Sequence, residues 1–105
     1  MKVYIAGAVT GRDADEVLYD FTAAEQRLRN AGYCVVNPLT VVGSGIAGDN
    51  TSNGDVPWEY AMKKCIGELV KCDAMLLLPG WENSHGVKLE VVIAGELGIE
   101  IIEGI

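Results

Sequence analysis

The order of segments in this 105-residue chain predicts an α/β domain, a single parallel sheet with helices on both faces. Two observations carry that prediction. Four short apolar or β-branched runs alternate with three stretches whose apolar residues recur at helical spacing. The run at 74–78, AMLLL, is apolar at every position, as a parallel strand covered on both sides should be.

The first strand is KVYIA at 2–6, closed by the turn signal GAVTG at 7–11. Asp13 and Glu16 have capping-box spacing, and Val17, Leu18, Phe21, Ala24, Leu28 and Ala31 then follow helical periodicity to Gly32. A second strand at 33–36 stops at Asn37-Pro38, because the residue before proline disfavours helical angles. The stretch 39–56 is rich in Gly, Ser, Asn and Asp and reads as a long flexible loop within one domain spanning 1–105. Pro57 suits a helix first turn, and Trp58, Ala61, Met62, Cys65, Ile66 and Leu69 form one apolar stripe. Asp73 sits at the start of the third strand, away from its carboxyl end, and reads as structural. A third helix runs to Gly98, and 99–102 forms the last strand. No internal repeat or low-complexity tract interrupts this order. In such sheets ligands bind beyond the carboxyl ends of the strands, so the turns GAVTG and PGWENSHG (79–86) are where chemistry is expected.

Charge and composition narrow the function. The net charge is -7, from 15 acidic against 8 Lys and Arg residues, and no basic face is visible to neutralise a nucleic-acid backbone. Lys63, Lys64 and Lys71 read as a solvated helix face. Three scattered cysteines, Cys34, Cys65 and Cys72, fit a reducing compartment better than a disulfide framework. His85 is the only histidine, and no metal-ligand spacing appears. The short apolar run at the N-terminus is too brief for a signal peptide, and no stretch reaches the roughly 20 apolar residues of a membrane helix. A soluble cytoplasmic protein is expected.

One residue breaks the pattern of the third helix. At about 100° per residue, Gly86, Glu90, Ile93, Ala94 and Leu97 share its inward face, with Lys88, Val91 and Gly95 opposite. Glu90 is then a carboxylate among apolar neighbours, about one turn into the helix. Burial opposes its charge and the positive helix end favours it. A carboxylate so poised at a strand-end crevice suits a nucleophile or general base; a buried Glu paired with an Arg or with backbone donors is the structural alternative. Ser84 is placed to cap the helix, and its hydroxyl with the free N–H groups of a helix start also forms an anion site. Gly86 permits close approach of a ligand to the backbone. GAVTG lacks the G-x-G-x-x-G dinucleotide signature but offers backbone donors and Thr10. Trp81 reads as a platform for a base or as cover for the sheet rim.

The segments VYIAGAVTG at 3–11, AAEQRLRNAGYCVVNP at 23–38, CDAMLLLPGWENSHGVKLE at 72–90 and AGELGIEII at 94–102 together resemble the nucleoside 2-deoxyribosyltransferase-like family. The likeness is nearest to the deoxynucleoside 5′-monophosphate N-hydrolases and a small bacterial and phage branch of unknown function. Ser84-x-Gly86-x-x-x-Glu90 is its most specific part. The resemblance implies a three-layer αβα sandwich with a flavodoxin- or Rossmann-like parallel sheet of four to five strands. It implies cleavage of the N-glycosidic bond of a (deoxy)nucleoside or its 5′-monophosphate, by hydrolysis or base exchange, with Glu90 as the catalytic nucleophile. Substrate-binding positions would be Gly7, Thr10, Gly80, Trp81, Ser84 and Gly86, and the serine at 84 is the hydrolases' phosphate contact, where the transferases carry Asp. Neither metal nor organic cofactor is implied, and the partners are a small-molecule substrate and further copies of the chain in a homo-oligomer. The family's enzymes carry an Asp eight residues before the position of Asp73, where this chain has Cys65. With that carboxyl replaced, base protonation falls to another group, and Asp49 and Asp55 are the acids of the long loop. The replacement favours the alternative reading, a non-catalytic nucleotide-binding or sensing domain on the same fold.

Overall fold

A computed structural model describes residues 1–42 and 58–103. The elements are β1 (Lys2–Ala6), α1 (Ala14–Asn30), β2 (Cys34–Val36), α2 (Pro38–Val42), α3 (Trp58–Leu69), β3 (Ala74–Leu77), a 3-10 turn (Trp81–Asn83), α4 (His85–Glu96) and β4 (Glu100–Glu103). The four strands pair in parallel in the order β2-β1-β3-β4. This is the α/β architecture read from the segment order, with four strands.

Strand alternation divides the core into two layers. Val3 and Ile5 of β1, with Ala74 and Leu76 of β3, face α1 and its buried Val17, Phe21, Ala24 and Leu28. Tyr4, Ala6, Met75 and Leu77 point the other way, onto Cys65 and Leu69 of α3 and Val87 and Ala94 of α4. β3 is buried at every position, as its unbroken apolar run requires.

Local chemistry sets the element ends. Asp13 caps α1, its Oδ2 accepting the Glu16 N–H at 3.1 Å. Asp15 and Glu16 lie in the first turn and Arg27 and Arg29 in the last, matching the helix dipole. Asp13→Ala is therefore expected to lower stability by about 1 kcal/mol, read as a lower urea midpoint with an unchanged slope. Asp73 accepts the Lys2 N–H at 2.9 Å and ties the starts of β1 and β3 together, at the end of the sheet opposite the turns of interest.

Several boundaries differ from the sequence reading. Position 38 opens a short helix, α2, where a loop over 39–56 was expected. The buried Asn37 makes it: its Oδ1 accepts the Leu39 N–H at 2.9 Å, and its carbonyl accepts from Thr40 at 2.9 Å. Asn37-Pro38 is an N-cap followed by proline at the first helical position, and not only a strand stop. The rest of the expected loop, with Asp49 and Asp55, lies outside the described residues. In α4 the buried residues are Gly86, Val87, Glu90 and Ala94, while Leu97 is 58% exposed. The helix ends at Glu96, so Leu97 serves as its C-cap and leaves the inward stripe. The last strand begins at Glu100, after the positive-φ Gly98.

Candidate functional site

The sheet order places β1 and β3 side by side, with the chain winding outward from them in both directions. That is a topological switch point, where the loops beyond the strand ends splay apart and leave a crevice. The turn after β1 and the start of α4 after β3 form its walls. The crevice encloses ≈ 90 Å³ and opens to solvent on one side.

Five of the residues singled out in the sequence meet there: Gly7, Thr10, Ser84, Gly86 and Glu90. The other two do not line it. Gly80 adopts φ 86° in the turn before the 3-10 segment, and Trp81 packs against the α3–α4 side of the core. Tyr4, Trp58, Met62 and Cys65 line the crevice in addition.

Glu90 is 4% exposed, and its Oε2 accepts a hydrogen bond from the Tyr4 hydroxyl at 2.8 Å. Burial raises its pKa to about 7, and the Tyr4 hydrogen bond offsets part of that rise. Tyr4 itself is held well above its ordinary value, first by burial and then by the Glu90 charge. The Cys65 thiol stands beside the Tyr4 hydroxyl, and burial pushes it up to about 11. Among the described residues Glu90 makes no ion pair. A buried carboxyl with one hydroxyl donor, facing a cavity, exchanges its proton near neutral pH.

Ser84 is the N-cap of α4, its Oγ accepting the Val87 N–H at 3.2 Å. Ser84 lines the crevice at the first turn of α4, a turn whose leading N–H groups have no partner within the helix. A second lobe of the crevice runs past Thr10, Asn83, Ser84 and His85. His85 stacks on Trp58 at its edge, with ring centroids 5.2 Å apart and planes 9° from parallel. No Lys or Arg lines either lobe among the described residues. Arg12 is engaged elsewhere: it donates to the Ala8 carbonyl at 3.0 Å and to Asp20 at 2.6 Å, pinning the turn after β1 onto α1. Among the described residues no cluster of His, Cys, Asp and Glu is arranged to hold a metal ion, and no helix is long and apolar enough to cross a membrane.

The glycines set how closely these walls approach. A Cβ on Gly86 would lie 2.9 Å from Met62 Sδ. A Cβ on Gly7 would lie 3.0 Å from Leu78 Cδ1 and 3.1 Å from Phe21 Cζ. Gly7 thus lets the turn after β1 press against the α1 layer. Gly7→Ala should cost about 1–3 kcal/mol through overpacking, measurable by urea denaturation.

Residues 1–103 match the family described as a domain of unknown function, DUF4406. The chain belongs to that family. No curated protein matches it. Among solved structures this DUF4406 chain is similar to the 2-deoxyribosyltransferase from the psychrotolerant bacterium Bacillus psychrosaccharolyticus. The TM-score is 0.68 at 18% identity, covering 98% of this chain and 71% of that one. The shared feature is the fold, the flavodoxin-like nucleoside deoxyribosyltransferase architecture.

The sequence signals for the added residues were uneven. Tyr4 carries a hydroxyl into a strand of the core, and a buried tyrosine hydroxyl seeks a partner. That hydroxyl and the inward Glu90 were each visible, but not their meeting. Trp58 was legible as the first residue of the apolar stripe of α3, but its meeting with His85 was not.

Proposed function

We propose that this protein cleaves the N-glycosidic bond of a (deoxy)nucleoside or its 5′-monophosphate, with Glu90 as the nucleophile. The observation that carries the reading is the Glu90–Tyr4 pair, a buried carboxyl on a single hydroxyl donor at the floor of the switch-point crevice. The ionised carboxylate attacks the anomeric carbon, and the C–N electron pair departs with the base, which takes up a proton. A sugar ester on Glu90 results, passing through an oxocarbenium-like transition state. Water releases the sugar, or a second base accepts it. Gly7 and Thr10 wall the sugar side, and Ser84 with the α4 first turn receives the 5′ end. A homo-oligomer in the cytoplasm belongs to the same reading.

Cys65 supports a second reading, a nucleotide-binding or sensing domain without turnover. Its thiol, pushed up to about 11, is a poor acid for a departing base. The test is base release by chromatography from ribo- and deoxynucleosides and their 5′-monophosphates, with and without an acceptor base. Glu90→Gln runs beside the parent. Release that disappears in the variant supports the glycosidic reading, and release confined to monophosphates gives Ser84 its phosphate role. No release, with thermal stabilisation by the same ligands, supports the binding domain.

A further inference from the structure

We infer that the crevice takes an N-glycoside whose base carries a positive charge at the glycosidic nitrogen, as a pyridinium riboside does, in preference to an uncharged nucleoside. This substrate class rests on the glycosidic reading of the site. An ordinary base needs a proton as it leaves, and a positioned acid supplies it. Two titratable groups besides Glu90 line its lobe of the crevice among the described residues, and neither is suited to that task. The Tyr4 hydroxyl directs its proton to Glu90 Oε2, 2.8 Å away. The buried Cys65 thiol beside it is pushed up to about 11. Thr10 and Ser84 offer only hydroxyls, and His85 lines the second lobe alone.

A base already charged at the glycosidic nitrogen leaves without a proton. The Glu90 carboxylate attacks the anomeric carbon and the C–N bond breaks. Its electron pair stays on the nitrogen, which becomes neutral, and the sugar ester on Glu90 is neutral too. The weak acidity of Cys65 is then no obstacle to turnover. The surroundings also fit a cation. Glu90 is buried without an ion pair, and no Lys or Arg lines either lobe, among the described residues. A cation beside the carboxylate offsets the cost of burying it ionised. Trp58 lines both lobes, and an indole attracts cations more strongly than the other aromatic rings. The net charge of -7 draws cations to the chain as a whole. Because the cation favours the ionised form of Glu90, it binds more tightly as pH rises through about 7. The titratable groups facing Glu90 are Tyr4 of β1 and Cys65 of α3, and both stay neutral across that range. From α4 and β3 the surrounding core presents only uncharged residues, among them Val87, Ala94, Met75 and Leu77.

Binding and turnover test this separately. The binding probes are 1-methylnicotinamide, a permanent pyridinium cation, and nicotinamide, its uncharged counterpart, titrated into the full chain by NMR. At about pH 8 the cation should bind about tenfold more tightly than nicotinamide. Its affinity should fall about tenfold by about pH 6, as Glu90 takes up its proton. Glu90→Gln should remove both the preference and the pH dependence. For turnover, base release is followed from nicotinamide riboside and from adenosine and 2′-deoxyadenosine, with uncatalysed rates subtracted. Release from the pyridinium riboside should be faster by about a hundredfold or more, the worth of the missing acid, and should vanish in Glu90→Gln. Equal binding of the two probes overturns the inference, as does a cation affinity that does not change with pH. Release from the uncharged nucleosides but not from the pyridinium riboside also overturns it, and leaves the glycosidic reading in place. A cation preference that follows Glu90, with no release from any glycoside, supports the charged ligand class and removes the glycosidic reading instead.

Discussion

Glu90→Gln will lose base release by at least about a thousandfold, as loss of a nucleophile does, and yet melt higher than the parent at alkaline pH. Both results follow from the one buried carboxyl. Burial holds Glu90 at about 7, above the ordinary 4.5. Between those values the folded chain keeps a proton that the unfolded chain has lost. The stability linked to this group is full below about pH 4.5 and is lost as pH rises through 7. Above that window the ionised, buried carboxylate costs about 3 kcal/mol. Glutamine stays neutral, keeps a carbonyl oxygen to accept from Tyr4, and escapes that cost. In a domain of this size the expected gain is about 10 °C or more at pH 8 to 9, vanishing toward pH 4. The check is the difference between parent and variant melting curves across pH. A variant that loses activity and stability together at every pH would make Glu90 a structural residue.

Tyr4→Phe should move the acidic limb of the pH–rate profile to higher pH by about one pH unit or more, the displacement that roughly 1.4 kcal/mol produces. The Tyr4 hydroxyl is the group that lowers the Glu90 pKa against burial. Without it the carboxyl rises above about 7, fewer molecules are ionised at neutral pH, and turnover falls there about fivefold or more. Raising the pH should recover much of that loss. Stability above pH 7 should fall by about 1.5–3 kcal/mol, the worth of a hydrogen bond to a charged group. The profile is the discriminating readout, because a purely packing role for Tyr4 would scale the rate down without displacing the limb.

How much of the site was legible in the sequence depended on whether its parts are local. Ser84, Gly86 and Glu90 lie within one helix, so helical spacing alone put the carboxyl on the inner face and the serine at the cap. The inner face itself was drawn slightly wrong. Leu97 was placed inside and Val87 was not, because spacing gives relative positions on a helix but not where the sheet lies or where the helix stops. Asn37-Pro38 shows a different gap. The pair stops a strand and starts a helix, and only the accepted N–H of Leu39 shows that both happen. Gly80 and Trp81 were drawn toward the crevice by their place after β3, yet the 3-10 turn carries Trp81 onto the core instead.

The sequence by itself determined the α/β class, the parallel sheet, the cap at Asp13 and the inward carboxyl at Glu90. Each of these rests on periodicity or on contacts a few residues apart. The tertiary structure alone decided that Tyr4 is the donor to Glu90, although 86 residues separate them. It also decided that Cys65 stands beside that pair and that Trp58 meets His85 at the crevice edge. The reason is geometric. Strand parity fixes that Tyr4 and Ile5 point to opposite faces, but not which face a helix will cover. Only the order β2-β1-β3-β4, with α3 and α4 on one side, turns Tyr4 toward Glu90.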